Sequence, residues 1–155
     1  QQERCFRLRW LKMDNIHIER VLKHQPNFQG VFSSDTLPTT PRLLVCNTDP
    51  ARKPGQHWIA ISVDKNGRGE YFDSFGRPPN KHFERYMNSN CKRWSFNKRQ
   101  LQSRISAFCG YYCCAYIALK NRGYDMTKID GMFINDTGYN DWLVHRIVCN
   151  KRWKM

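Results

Sequence analysis

The stretch Ser106–Tyr116, SAFCGYYCCAY, places three cysteines within six residues at the head of an apolar run. From Gly110 to Arg122 the run GYYCCAYIALKNR is apolar nearly all round, and it ends before Gly123, a residue suited to the left-handed position after a helix. That pattern predicts a buried helix around which the other elements must pack. Cys109 precedes the helix, whereas Cys113 and Cys114 lie inside it. A thiolate at a helix N-terminus is stabilised by unpaired N–H groups and by the positive end of the macrodipole, while thiols within an apolar helix are inert packing. Cys109 is therefore the candidate nucleophile, and Cys113 and Cys114 read as small buried hydrophobes. Gly110 is expected to keep the backbone beside the sulfur open to a substrate.

Working upstream, HWIAISV (57–63) and EYFD (70–73) read as strands joined by DKNGRG, in which Asn66-Gly67 is a hairpin signal. His57 opens the first strand and Asp73 closes the second, so a hairpin brings both to one end of the sheet. A cysteine nucleophile needs a base to take its proton, and the base needs a third group to fix its tautomer. A two-residue turn centred on Asn66-Gly67 pairs Asp73 with Ala60, leaving His57 about 10 Å further along the strand. Pairing Asp73 with His57 instead requires a longer or bulged loop, which Gly67 and Gly69 make feasible. The remaining histidines, His17, His24, His82 and His145, sit in helical or polar contexts and read as surface residues.

The rest of the chain supplies a frame for these residues. MDNIHIERVLKHQP predicts a short helix capped by Asp14 or Asn15 and stopped at Pro26, and RLLVC a buried strand. NKHFERYM is a helix with a stripe of Phe83, Tyr86 and Met87, KRWSFN is a strand, and YNDWLVHRIV is a helix with Trp142, Leu143 and Ile147 on or near one face. SSDTLPTTPR and TDPARKPGQ read as loops. Helices around a short central set of strands, without internal repeats, give an α+β domain, taken as one unit over 1–155.

Composition narrows the function classes. With 26 Lys and Arg against 13 Asp and Glu the net charge is +13, which favours a polyanionic partner, most plausibly nucleic acid, over a basic surface with no ligand. No apolar run approaches the roughly 20 residues that span a bilayer, and QQERCFRLRW carries charges where a signal peptide has its apolar core. Neither membrane insertion nor secretion is expected, and Gln1 in place of an initiator Met fits a processed or trimmed chain. The seven cysteines contain no C-x-x-C pair, so a metal site or a disulfide framework is weakly supported, and reduced thiols in a cytosolic or nuclear setting are expected.

Four segments together, GQHWIAISVD, GEYFDSFGRPP, LQS and SAFCGYYCCAY, resemble the adenovirus-type (adenain-like) cysteine endopeptidases, in particular those of Maverick/Polinton-type DNA elements and related viruses, within the wider clan of SUMO-protease-like enzymes. The order His, acid, Gln, Cys is the order of that family, with the Gln seven residues before the Cys. GVFSSDTLP, NTDP and NDWLVHRIV extend the resemblance over most of the chain. It implies a papain-like fold in which Cys109 is the nucleophile, His57 the general base and then acid, and Asp73 the orienting carboxylate. Gln102 is implied to donate its side-chain amide to the oxyanion beside the Cys109 N–H, and Trp58 to shield the His–Asp pair. Adenain has Glu at the acid position, so Asp73 is a departure with a shorter reach. No cofactor is implied for the chemistry itself, although DNA and a disulfide-linked peptide stimulate the adenovirus enzyme, and Cys91 stands where its peptide-linked cysteine would be. The implied reading is a monomeric endopeptidase that matures virion proteins, located in the virion or in the host nucleus or cytoplasm. An isopeptidase acting on ubiquitin-like modifiers and a catalytically dead, basic nucleic-acid-binding module are the alternatives.

Overall fold

Five strands form one sheet in the order β1 (Phe28–Phe32), β2 (Leu43–Asn47), β3 (Trp58–Val63), β4 (Arg68–Phe72) and β5 (Arg93–Phe96). The computed structural model that shows this describes residues 12–50 and 57–150. Most of the loop TDPARKPGQ, the first eleven residues with Cys5, and the tail from 151 onward lie outside the described residues. Strand β3 runs antiparallel to both β2 and β4, while the outer β1 and β5 are parallel to their neighbours. Every residue of β2 and β3 is buried, because helices cover both faces of the sheet and a doubly covered strand reads as a continuous apolar run.

The helices are α1 (Asn15–Leu22), α2 (Lys81–Asn90), α3 (Cys109–Asn121), α4 (Met126–Asp130) and α5 (Thr137–Cys149). On one face α3 lies across β2 and β3 and packs against α1 and α5, in a core of Trp58, Ala60, Phe72, Tyr116, Ile117 and their neighbours. On the other face Phe83 and Met87 of α2 meet Leu44, Ile59, Ile61 and Tyr71. Residues Cys109 to Leu119 are all buried, as the apolar run requires, and α3 ends at Arg122 with Gly123 at φ +86°. Burying each large side chain of such a helix contributes on the order of 1.5–3 kcal/mol, so α3 organises the domain.

Of the two candidate caps for α1, Asp14 is the one used, accepting the His17 N–H at 2.9 Å, and Asn80 caps α2 by accepting that of Phe83 at 3.0 Å. Two elements carry no signal in the sequence: β1 is half-buried, contains Gly30 and has a register break between Phe28 and Val31, and α4 is too short for a periodic pattern. Helix α5 corrects the expected face. Its buried residues are Asn140, Val144, Ile147 and Val148, whereas Trp142 points outward with the Arg146 guanidinium over its ring and Leu143 is half-buried. His145, expected at the surface, is half-buried beside Tyr111. Cys46, Cys91, Cys109, Cys113 and Cys114 are free thiols, but Cys149 is disulfide-bonded, which departs from the expectation of reduced thiols throughout.

Candidate active site

The β3–β4 hairpin settles how far apart His57 and Asp73 stand. Ala60 pairs with Phe72 and Val63 with Gly69, so the loop is one residue longer than the two-residue turn and Gly67 takes a left-handed φ of +76°. Continuing that register sets Asp73 opposite Ile59, neither at Ala60 nor at His57. The two side chains are diagonal neighbours just past the paired strands, and the His57 ring spans the difference. Its Nε2 lies 2.6 Å from Asp73 Oδ1, with both residues buried. The larger loop correction is therefore unnecessary, and the short aspartate reaches.

The Asp73 carboxylate is held on several sides. Phe75 N–H donates to the same Oδ1 at 2.8 Å, while the amide of Asn97 clasps the Asp73 backbone, donating to its carbonyl at 2.6 Å and accepting its N–H at 2.9 Å. The Phe75 ring stacks on the imidazole at 4.3 Å. Phe75 thus covers one face of the histidine ring. Trp58 belongs to the main core and donates its indole N–H to the Met13 carbonyl at 3.0 Å.

With Nε2 committed to Asp73, Nδ1 of His57 is buried without a hydrogen-bond partner at contact distance and is the nitrogen left for Cys109. Burial alone would lower the His57 pKa. The hydrogen bond to Asp73 and the pull of the nearby Cys109, together with their charges, outweigh it and raise the pKa from 6.5 to about 9. Cys109 is the first residue of α3, and Phe108 before it makes no side-chain cap, so the leading N–H groups of the helix are not taken by a capping side chain. Gly110 does not leave that backbone open, contrary to the sequence expectation. A Cβ there would come 2.7 Å from Met13 Cβ, so the missing side chain makes room for the segment leading into α1.

Gln102 is fully buried in the loop before α3. Its Nε2 donates to the Ser106 carbonyl at 2.8 Å and its Oε1 accepts the Ser74 hydroxyl at 2.5 Å. Helix α5 holds this loop from behind. Asn140 donates to the Leu101 carbonyl at 2.9 Å, and Asp141 accepts the hydroxyls of Ser106 at 3.0 Å and Tyr112 at 2.7 Å. A cleft of about 460 Å³ opens beside Trp58, lined among others by Met13, Val31, Phe32, Asp49 and Pro50, the last two from the described end of the loop TDPARKPGQ. Cys91 is not part of this cluster. It caps the C-terminus of α2, its sulfur packs against Gly69, and its thiol pKa is raised by burial. Among the described residues no group of histidines, cysteines and carboxylates could hold a metal ion.

Sequence reading missed Ser74, Phe75 and Asn97. Ser74 and Phe75 stand beside Asp73 in the chain, but nothing in the sequence distinguishes Asn97 from any polar residue at a strand end. Gly76 is essential to the same turn. It has φ +72°, and a Cβ would lie 2.6 Å from the Arg99 carbonyl carbon, a backbone atom that cannot move without displacing the loop to Gln102. Gly76→Ala is expected to cost about 2–4 kcal/mol in urea denaturation; a cost below about 1 kcal/mol would show that this loop moves freely.

A protein of Acanthamoeba polyphaga mimivirus named as a thiol protease is 33% identical over 47% of this chain and 28% of its own. The protease of frog adenovirus 1 is 27% identical over 62% of this chain and 51% of its own. The chain is similar to viral proteins named as proteases. Among solved structures, the ASFV protease superposes with a TM-score of 0.52 at 26% identity, covering 71% of this chain and 45% of that one. The central domain of an uncharacterized Legionella pneumophila protein shares the fold, with a TM-score of 0.52 at 15% identity over 87% of this chain and 94% of that one. No family model matches the chain. The resemblance drawn from the four sequence segments and the α+β protease fold both hold, and the chain spans about half or less of the viral relatives it matches.

Proposed function

We propose that this chain is a cysteine endopeptidase that cleaves structural precursor proteins of a virus or virus-like element. The observation that carries this reading is the buried His57–Asp73 bond of 2.6 Å, with the other ring nitrogen left for a thiol at the uncapped start of α3. His57 takes the Cys109 proton, and the thiolate attacks the scissile carbonyl to give a tetrahedral oxyanion. The Cys109 N–H and the Gln102 amide stabilise that oxyanion. Collapse breaks the C–N bond, His57 gives the proton to the leaving amine, and a thioester remains. Water activated by neutral His57 then releases the acid and restores the thiol.

DNA is the accessory partner that the +13 charge supports. A peptide linked through Cys91 requires that half-buried sulfur to be uncovered first. The test is alkylation by iodoacetamide with the modified cysteine identified by mass spectrometry, alongside cleavage of a capsid-derived peptide library and of a ubiquitin-like fusion, each with and without duplex DNA. Cys109 should label ahead of Cys46, Cys113 and Cys114, with peptide cleavage lost in step. Labelling spread over all thiols would leave the basic binding module as the account, and selective cleavage of the fusion would establish the isopeptidase. Rates that do not respond to DNA would remove it as an activator.

A further inference from the structure

Ser74 holds the Gln102 segment at two points. Its carbonyl accepts the N–H groups of Leu101 at 2.9 Å and Gln102 at 3.0 Å, and its hydroxyl donates to Gln102 Oε1 at 2.5 Å. Ser74 is 1% exposed and Gln102 0%, so water does not compete for these bonds. The two ends of a glutamine amide are nearly equal in size, and hydrogen bonding rather than shape decides which end faces which way. The Ser106 carbonyl, which can only accept, marks the nitrogen end, and the Ser74 hydroxyl donates to the carbonyl end. The nitrogen end spends one proton on the Ser106 carbonyl and keeps the other.

We infer that Ser74 is a positioning residue for oxyanion stabilisation, anchoring the Gln102 amide by its oxygen and polarising it. The inference rests on the endopeptidase reading above. In the flipped orientation Oε1 would face the Ser106 carbonyl, an acceptor against an acceptor, so the Ser106 and Ser74 contacts together hold one orientation. Donation into Oε1 also withdraws density from Nε2 and strengthens its N–H groups as donors. The neighbouring Asp73 reaches His57 through other atoms, so the two effects separate experimentally.

The experiment uses a fluorogenic peptide chosen from a library by its cleavage with the unmodified chain. Ser74→Ala should lower kcat/KM about tenfold, through kcat with KM nearly unchanged. The alkaline limb of the pH profile and the rate of Cys109 alkylation should not move, because neither involves an oxyanion. In a Gln102→Ala background the same substitution should change the rate less than about twofold. Ser74→Cys keeps the volume but donates weakly, and should give an intermediate loss even where the alanine variant folds poorly. Full, independent losses in the double variant, or an alkaline limb displaced toward acid, would overturn the role of Ser74. Undiminished cleavage by a Cys109→Ala variant would instead remove the protease reading itself.

Discussion

Cys109→Ala should abolish peptide cleavage while the fold survives. Removing the nucleophile of a hydrolase of this kind costs roughly a million-fold in kcat, because no other group in the site can form the covalent intermediate. The neighbouring thiols cannot substitute. Cys113 and Cys114 lie inside the helix at about 1% exposure, and burial raises the Cys113 pKa well above its ordinary value. Alanine leaves only a small void at a position with high helix propensity, so the denaturation midpoint should stay close to that of the unmodified chain. The check is a cleavage assay at matched concentration beside a denaturation curve. Cleavage above one part in a thousand with normal stability would mean that the nucleophile is elsewhere.

His57→Ala should cost nearly as much as loss of the thiol, and Asp73→Asn less, since the imidazole remains but its orientation and charge lose their partner. The pH profile separates the two roles. With the His57 pKa at about 9, kcat/KM should fall on an alkaline limb near that value, as the ring loses the proton that the leaving amine must receive. Asp73→Asn removes the largest of the groups that raise the pKa, so the limb should move toward acid. The same linkage acts on stability. His57 is raised above its unfolded value of about 6.5, so its contribution is fully present below that pH and disappears as pH rises through about 9. The contribution is on the order of 3 kcal/mol and is read as the difference between the unmodified chain and Asp73→Asn in denaturation at pH 6 and pH 10. An alkaline limb unmoved by Asp73→Asn would show that the carboxylate does not govern the histidine.

Much of this was legible in the chain because the signals are local. The all-round apolar run from Gly110 demanded a buried helix, and the position of Cys109 at its head distinguished that thiol from its neighbours without any tertiary knowledge. A β-branched strand and an aromatic one around Asn66-Gly67 sent His57 and Asp73 to one sheet end, and the polar residues Asp14 and Asn15 marked the start of α1. Gln102 entered through its spacing from Cys109 in a family pattern, since a buried amide has no periodic signature. Other features were settled by contacts between residues far apart in sequence. The one-residue lengthening of the hairpin, the Met13 side chain filling the space beside Gly110, the Asn97 clasp and the outward turn of Trp142 each depend on what the rest of the fold leaves room for. The sequence by itself determined the elements and the chemical groups, because helix and strand periodicity act over a few residues. Only the tertiary structure decided the reach of Asp73 and the orientation of the Gln102 amide, because those depend on hydrogen bonds closed between loops that the chain separates and packing joins.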